Sequence, residues 1–454
     1  MQTTQQQKNY RYATTLRRLL RRNATTHIRK MIGRIHPADL AQVFSYFPVT
    51  DRIALMEQVD DNEARAEVLS HMRSEEAAEL VGRMELKKAV AIICEMSGDD
   101  QADLLGELDE TLATDIMAAM PQEDSDDVQE LLRYDEKSAG GIMNPEVLAV
   151  HMDATVGEAI KVVQEAEDVD MYFYVYAVDD HNSLTGVLSL RHLVTSKPGV
   201  VIKTIMNPNV VSVRTEEHQE DVARLVMRYD FLAVPVVDET NHLVGVISVD
   251  DVVDVISEEA TEDFLKMAGA GDNSFEHLSP LHSVLNRAPW LAAALAGGVI
   301  ASMVIGRFEE TLSRFLPLAA FIPVIIGMAG NVGTQSLAVV VRGLATRRIK
   351  VREFWGTIGS EILVGLMLGI LYGAALAAVG LWKLHGIDEA FRLALSIGSA
   401  AAMAMTMAAL LASAMPLLFA RINIDPAVAT GPFVTTAIDI LGVTVYFTVV
   451  NLLV

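Results

Sequence analysis

The sequence predicts a multidomain α+β membrane protein: an α-helical superhelix of short repeats, a duplicated α/β module, a linker helix and a five-helix transmembrane domain. Three observations carry this prediction: a 12-residue period in the first third, a strand-and-helix pattern that occurs twice in the second, and long apolar segments in the last. The 454 residues hold one cysteine and 36 Lys+Arg against 59 Asp+Glu, a net charge of −23. That charge is unevenly placed. Residues 286–454 carry 11 basic and 8 acidic side chains, residues 1–30 carry eight basic and none acidic, and residues 31–285 carry 17 against 51. Such an acidic surplus repels nucleic acid and attracts cations, divalent ones above all, and it also serves solubility. With Cys94 alone, an intrachain disulfide or a thiolate metal cluster is excluded.

Residues 1–30 contain Leu19 and Leu20 between arginines but no apolar core of the length a cleaved secretion signal needs, so targeting falls to the later spans. This basic arm is expected to be disordered, with contact to anionic lipid as the alternative. In residues 31–138, Val68, Leu80, Ile92, Leu104, Ile116 and Val128 recur in phase, and Met72, Met84, Met96, Leu108, Met120 and Leu132 follow each by four. Each unit reads as one short helix and a turn, with acidic residues at its start, as in Ser97-Gly-Asp-Asp-Gln-Ala-Asp-Leu-Leu-Gly-Glu-Leu108. Helices this short cannot bury a face alone, so they must stack into a solenoid whose methionine stripe is core rather than a metal box.

In residues 139–257 the duplication is of another kind. Ile142-Met-Asn-Pro145 returns as Ile205-Met-Asn-Pro208, Tyr174-Val-Tyr-Ala-Val-Asp179 as Ala233-Val-Pro-Val-Val-Asp238, and Leu184-Thr-Gly-Val-Leu-Ser-Leu190 as Leu243-Val-Gly-Val-Ile-Ser-Val249. Helical stretches at 156–165 and 219–229 separate them, giving two copies of a helix–strand–turn–strand–helix unit. These repeats resemble paired cystathionine-β-synthase (CBS) domains, here residues 139–200 and 201–257, a regulatory module that often binds adenine nucleotides. The resemblance implies ATP as a regulatory ligand, with Ser248 and Asp251 of Gly245-Val-Ile-Ser-Val-Asp-Asp251 in the ribose-holding roles. The first copy has Ser189 but His192 where the acid would stand, so at most one site is complete; a purely structural pair is the competing reading.

Residues 258–287 read as a linker helix region. Asp250, Asp251, Asp254, Glu258, Glu259, Glu262 and Asp263 crowd within a few turns of this stretch. Like charges at that spacing repel, and a divalent cation between them removes the strain. Oxygen ligands without Cys or closely spaced His select magnesium, calcium or manganese over zinc. A solvated helix face explains the same charges without a cation.

Residues 288–454 hold five apolar segments, at 289–306, 315–341, 355–381, 393–419 and 428–453, each long enough to cross a hydrocarbon core of about 30 Å. In the second, Asn331 and Gln335 lie four apart on one helix face, with Gly327 a turn earlier; in the fifth, Pro432, Thr435, Thr436 and Asp439 share helical spacing. A carboxylate at that depth costs about 2.5–3.5 kcal/mol unless water, a cation or a partner meets it, and no Lys or Arg stands in 428–453. Asp439 therefore points to an ion pathway. Glu361, near one end of the third segment, reads as a structural contact to Arg348 or Lys350. If the soluble region is cytoplasmic, the inward loops hold Arg287, Arg342, Arg347, Arg348, Lys350, Arg352 and Arg421 against Arg307, Arg314, Lys383 and Arg392 outside, which obeys the positive-inside rule and puts Val454 outside.

This order of parts resembles the MgtE family of magnesium channels and transporters over residues 31–454. The most specific matches are Pro323-Val-Ile-Ile-Gly-Met-Ala-Gly-Asn-Val-Gly-Thr-Gln335, where Ala329-Gly330 replaces the family's usual glycine pair, and Asp425-Pro-Ala-Val-Ala-Thr-Gly-Pro-Phe-Val-Thr-Thr-Ala-Ile-Asp439. The resemblance implies a homodimer in the inner (plasma) membrane with one pore on its two-fold axis. Asp439 would hold hydrated magnesium, with Asn331, Gln335 and Thr435 as polar neighbours, and the linker helix would close the pore when cytoplasmic magnesium bridges the acidic domains. The absence of a Walker or phosphorylatable-aspartate motif argues for a transporter and against an enzyme that pumps by hydrolysis. Two other classes fit the residues: a secondary transporter of another divalent cation such as cobalt, manganese or calcium, and a non-conducting, membrane-anchored cation sensor in which Asp439 is a packing contact.

Overall fold

The 12-residue period becomes a run of helices eight to ten residues long. A computed structural model describes residues 2–166, 173–268, 280–345, 349, 354–386, 389–422 and 431–453, and the chain divides into two units, Met1–Ser257 and Glu258–Val454. In the first, α1 (Gln2–Leu20) and α2 (Thr25–Ile32) precede α3 (Pro37–Phe44), α4 (Val49–Met56), α5 (Asn62–Ser70), α6 (Ser74–Val81), α7 (Leu86–Ile93), α8 (Gly98–Gly106), α9 (Glu110–Ala119) and α10 (Gln122–Leu131). Each helix packs on its second neighbour, α3 on α5, α5 on α7 and α7 on α9, with α4, α6, α8 and α10 likewise, so odd and even helices form two stacked layers. Val68, Leu80, Ile92, Leu104, Ile116 and Val128 are all buried. The companion stripe grades outward, from buried Met96 and Met120 to Leu132, which is 42% exposed. Buried Arg52 ties α4 to α6 within the even layer, its Nε donating to the Phe47 carbonyl at 2.9 Å and its Nη1 to Glu76 at 2.9 Å.

The N-terminal arm departs from expectation: residues 1–30 are not a disordered extension. Asn9, Ala13 and Leu16 are buried along one face of α1, and Ile28 and Ile32 of α2 enter the same core. Asn9 Nδ2 donates to Gln42 Oε1 at 2.9 Å and Arg17 to the Tyr46 carbonyl at 2.7 Å. The spacing 9, 13, 16 is an amphipathic stripe; a dense basic charge does not unfold a helix when every arginine sits off that stripe.

The duplicated module gives two sheets of identical topology. β1 (Ala149–His151) pairs parallel with β2 (Tyr174–Val178), which pairs antiparallel with β3 (Leu184–Ser189); β4 (Val213–Arg214), β5 (Ala233–Val237) and β6 (Leu243–Ser248) repeat the order. The helices are α11 (Val156–Glu165), closed by a Thr155–Glu158 capping box, α12 (Leu190–Thr195) and α13 (Gln219–Tyr229). The repeated Ile-Met-Asn-Pro is explained by an exchange between copies. Asn144, leading into the first copy, exchanges backbone bonds of 2.8 and 2.9 Å with Val246 of the second; Asn207, leading into the second, does so with Val187 of the first at 2.9 and 3.0 Å. Each preceding methionine then lies over a glycine of the other copy, so a Cβ at Gly245 would stand 2.6 Å from Met143 Sδ and one at Gly186 2.3 Å from Met206 Sδ. From β6 the chain enters α14 (Val249–Ala268).

In the second unit, α15 (Pro280–Arg307), α17 (Ile322–Ala345), α18 (Phe354–Lys383), α19 (Ala390–Arg421) and α20 (Pro432–Leu453) are, among the described residues, the five helices long and apolar enough to cross a membrane, with the short α16 (Glu309–Arg314) after the first. The predicted linker region is divided: part extends α14 to Ala268, and Pro280–Arg287 already belongs to α15. Glycines set the closest approach, Gly373 of α18 and Gly398 of α19 facing each other so that a Cβ on either would lie 2.5 Å from the other's carbonyl oxygen. Arg347, Arg348, Lys350, Arg352, residues 425–430 and Val454 lie outside the described residues.

Replacing Gly245 by Ala should lower the stability of the paired domains by about 1–3 kcal/mol through overpacking, and adding Met143→Ala should recover part of that loss. Denaturant unfolding followed in the full chain checks this; equal stability of Gly245→Ala and the parent chain would contradict the interlock.

Candidate functional site

α17 carries a polar face that the described residues do not cover. The contact with α20 is made by Gly333, where an added Cβ would stand 2.2 Å from Ile438, and by Ala329, 3.9 Å from the corresponding position on Gly442. These pairings run the two helices antiparallel. A residue advances about 100° around a helix, so Asn331, two positions from each of these contacts, points to the opposite side. Gly327, Asn331, Thr334 and Gln335 are all exposed there, and nothing lies within 4 Å of where Gly327 or Gly330 would carry a Cβ. Thr334 donates back to the Gly330 carbonyl at 2.9 Å.

On α20, Asp439 and Thr435 are half-buried beside the Ile438 contact, and the Thr435 hydroxyl donates to the Gly431 carbonyl at 3.3 Å. Thr436, about 100° around the helix from Thr435, packs on Gly297 of α15. Among the described residues Asp439 has no ion pair or hydrogen-bond partner. Within one chain, therefore, the structure does not bring Asn331 and Gln335 to Asp439.

A second acidic constellation lies in the soluble unit. Asp250, Asp251 and Asp254 occupy the first turns of α14, where Ser248 is the N-cap: its Oγ donates to Asp251 Oδ2 at 2.6 Å and its amide to the same oxygen at 3.3 Å, with Asp250 also bonded to the hydroxyl. Facing them are Asp99 and Asp100 from the first turn of α8. Burial, then the Asp99 carboxylate, pushes Asp251 up to about 7 against the opposing bond from Ser248. Burial and Asp100 push Asp99 up to about 6. Asp100 is raised by burial and by Asp250 and Asp254, with bonds from Ser70 and Ser97 opposing; Asp254 is raised by burial and Asp250, with His71 opposing. Asp99 Oδ1 is buried with no hydrogen-bond partner, a position that calls for a proton or a cation. Among the described residues no three such side chains converge into a closed ligand shell. A hard cation that keeps much of its water needs only one or two carboxylates.

The family model described as MgtE, divalent cation transporter, matches residues 322–449, that of the MgtE intracellular N domain matches 35–137, and the CBS domain model matches 139–198 and 202–258. The magnesium transporter MgtE of Thermus thermophilus is 34% identical over 447 residues, 97% of this chain and 98% of that one. The chain belongs to the MgtE family. The MgtE of Enterococcus faecalis is 40% identical over 332 residues, 73% of this chain and 72% of its own length. A solved cytosolic domain of the Mg2+ channel MgtE in complex with ATP superposes with a TM-score of 0.51 at 38% identity, covering 54% of this chain and 99% of that one.

Within this MgtE architecture, Asp250, Asp251 and Asp254 occupy the first turns of α14, whereas Glu262 pairs with Lys266 and Glu258 and Glu259 lie further along the helix. Ser248 and Asp251, predicted for a ribose, are bonded to each other, and in the first copy Ser189 accepts the His192 amide as the cap of α12. Asp99 and Asp100 were not among the expected site residues, because a Gly-Asp-Asp start satisfies a helix N-terminus by itself; Thr334 was passed over between Asn331 and Gln335. Glu361 is half-buried on α18, and its proposed partners Arg348 and Lys350 are among the residues outside the description.

The raised carboxyls mean that the state in which α8 faces α14 binds more protons than the separated one. Stability from this source is complete below about pH 4, the ordinary carboxyl range, and is lost as pH rises through about 6 to 7. Hydrogen exchange of the Gly98–Gly106 amides, corrected for the intrinsic rate, should accelerate over that window without divalent cations, and magnesium at neutral pH should restore protection. Exchange indifferent to both would contradict the account.

Proposed function

We propose that the chain conducts magnesium across the plasma membrane as a homodimer, through one pore on the two-fold axis bordered by α17 and α20 of both copies, and that cytoplasmic magnesium closes it. The observation that carries this reading is the uncovered polar face of α17. A face with Asn331, Thr334 and Gln335 cannot be left against lipid tails without cost, and its own α20 lies on the other side of the helix. A second copy supplies the missing wall. Magnesium sheds water reluctantly, so two Asp439 carboxylates supply the charge while the amides of Asn331 and Gln335 and the Thr435 hydroxyl meet the hydration shell. The relatives named as magnesium transporters support the choice of ion.

For gating, Asp99, Asp100, Asp250, Asp251 and Asp254 repel one another until a cation sits among them, and α14, which carries three of them, runs on to Ala268. Glu258, Glu259 and Glu262 on the same helix extend the regulatory set. Magnesium in the cytoplasm would hold the helical repeats against the base of α14, and its depletion would release them. ATP enters as a regulatory ligand of the CBS pair on the likeness to the ATP-bound cytosolic domain; a ribose at Ser248 and Asp251 would have to displace the cap they form. The soluble unit is placed in the cytoplasm and Val454 outside, following the distribution of basic loops.

In liposomes, Asp439→Asn should lower magnesium flux by about tenfold or more at equal dimer content, since a charge–ion contact near 4 Å is worth about 1–4 kcal/mol between bulk water and protein-surface dielectrics. Asn331→Ala should lower it less. Normal flux through Asp439→Asn would remove the carboxylate from the pathway.

A further inference from the structure

We propose that the outer face of α1 is an electrostatic docking surface for anionic lipid headgroups, so that the start of the soluble unit is held at the bilayer surface. The buried stripe of Asn9, Ala13 and Leu16 fixes which side of α1 faces the repeats. At about 100° per residue, Arg11 and Arg18 stand opposite that stripe, two turns and about 10 Å apart, and Thr14 and Thr15 lie between them. Arg21 and Arg22 continue the exposed basic surface past the helix end. Their neighbours are already engaged: Lys8 pairs with Asp39 at 3.3 Å, Arg29 with Asp60 at 3.9 Å, and Arg17 bonds the Tyr46 carbonyl. Among the described residues Arg11, Arg18, Arg21 and Arg22 have no such partner.

Two features favour a lipid surface over a second copy of the chain. The outer stripe itself is arginine and threonine, with the exposed Tyr10 at its margin; tyrosine suits the headgroup level of a membrane interface, and basic side chains suffice for adsorption to an anionic leaflet. The charge is also segregated: eight basic residues and no acid in 1–30, against 17 and 51 in 31–285. The net-acidic remainder is repelled by an anionic surface, so electrostatics favours approach by this segment.

The test places a fluorophore on Thr15→Cys in the full-length chain and reads its quenching by headgroup-labelled lipid in nanodiscs of phosphatidylcholine alone or with phosphatidylglycerol. Cys94 can stay, since burial and then Asp124 push its thiol up to about 11 and keep it unreactive at neutral pH. Quenching should appear only with phosphatidylglycerol, fade as salt is raised, and weaken about fivefold for each of Arg11→Gln, Arg18→Gln and Arg22→Gln. These side chains lie off the buried stripe, so helicity and dimer content should be unchanged and serve as controls. Equal quenching in both discs, no quenching in either, or proximity of two labels to each other in place of lipid would each overturn the proposal.

Discussion

A polar face on a helix that crosses a bilayer has to meet water, protein or an ion, and the membrane half of this chain is arranged around that requirement. α17 turns Ala329 and Gly333 toward α20 and leaves Gly327, Asn331, Thr334 and Gln335 uncovered. The glycine at 333 permits this split: by admitting Ile438 it lets two helices approach closely on one side, so that the other side is free for polar chemistry. The same economy places Thr436 against Gly297 and keeps Asp439 at the margin of the packed face. α18 and α19 are bound to each other through Gly365, Gly369, Gly373 and their alanine partners.

In the soluble half the governing interaction has the opposite sign. Asp99, Asp100, Asp251 and Asp254 are brought together where burial makes their charge costly, with the exposed Asp250 beside them. Ser248, Ser97 and Ser70 offset part of that cost by hydrogen bonds but leave Asp99 Oδ1 without a partner. In the proposed gating, a divalent cation would balance these charges and so bias a two-state element. The interlocked CBS pair supplies the rigid frame, since each leading segment is hydrogen-bonded into the other copy.

Much of this was legible in the sequence because it is periodic. The residues in phase from Val68 to Val128 are the buried ones, and the doubled Ile-Met-Asn-Pro announced a duplicated module. What periodicity cannot carry is which surfaces meet. The methionine of one copy over the glycine of the other is a contact between residues 102 or 20 positions apart, Met143 with Gly245 and Gly186 with Met206. Asp99 and Asp100 look like ordinary helix-start acids until Asp251 is set opposite them. The arm at residues 1–30 misled for a related reason: its charge was read as a whole, whereas Asn9, Ala13 and Leu16 occupy one face and the arginines the others. Family membership rests on the whole chain, and the arrangement of site residues on the local geometry.

The central claim, that the uncovered face of α17 borders a water-filled path, is tested most directly by single cysteines along Gly327–Gln335 in the full-length protein, scored by reaction with a water-soluble, membrane-impermeant thiol reagent. Cysteines at 327, 331, 334 and 335 should react rapidly and be slowed by magnesium, while those at 329 and 333, turned to α20, should not react. Uniform reactivity along the segment, or cysteines at 331 and 335 as inert as one at the exposed, apolar Val339, would mean that this face meets lipid or protein and that the pathway lies elsewhere.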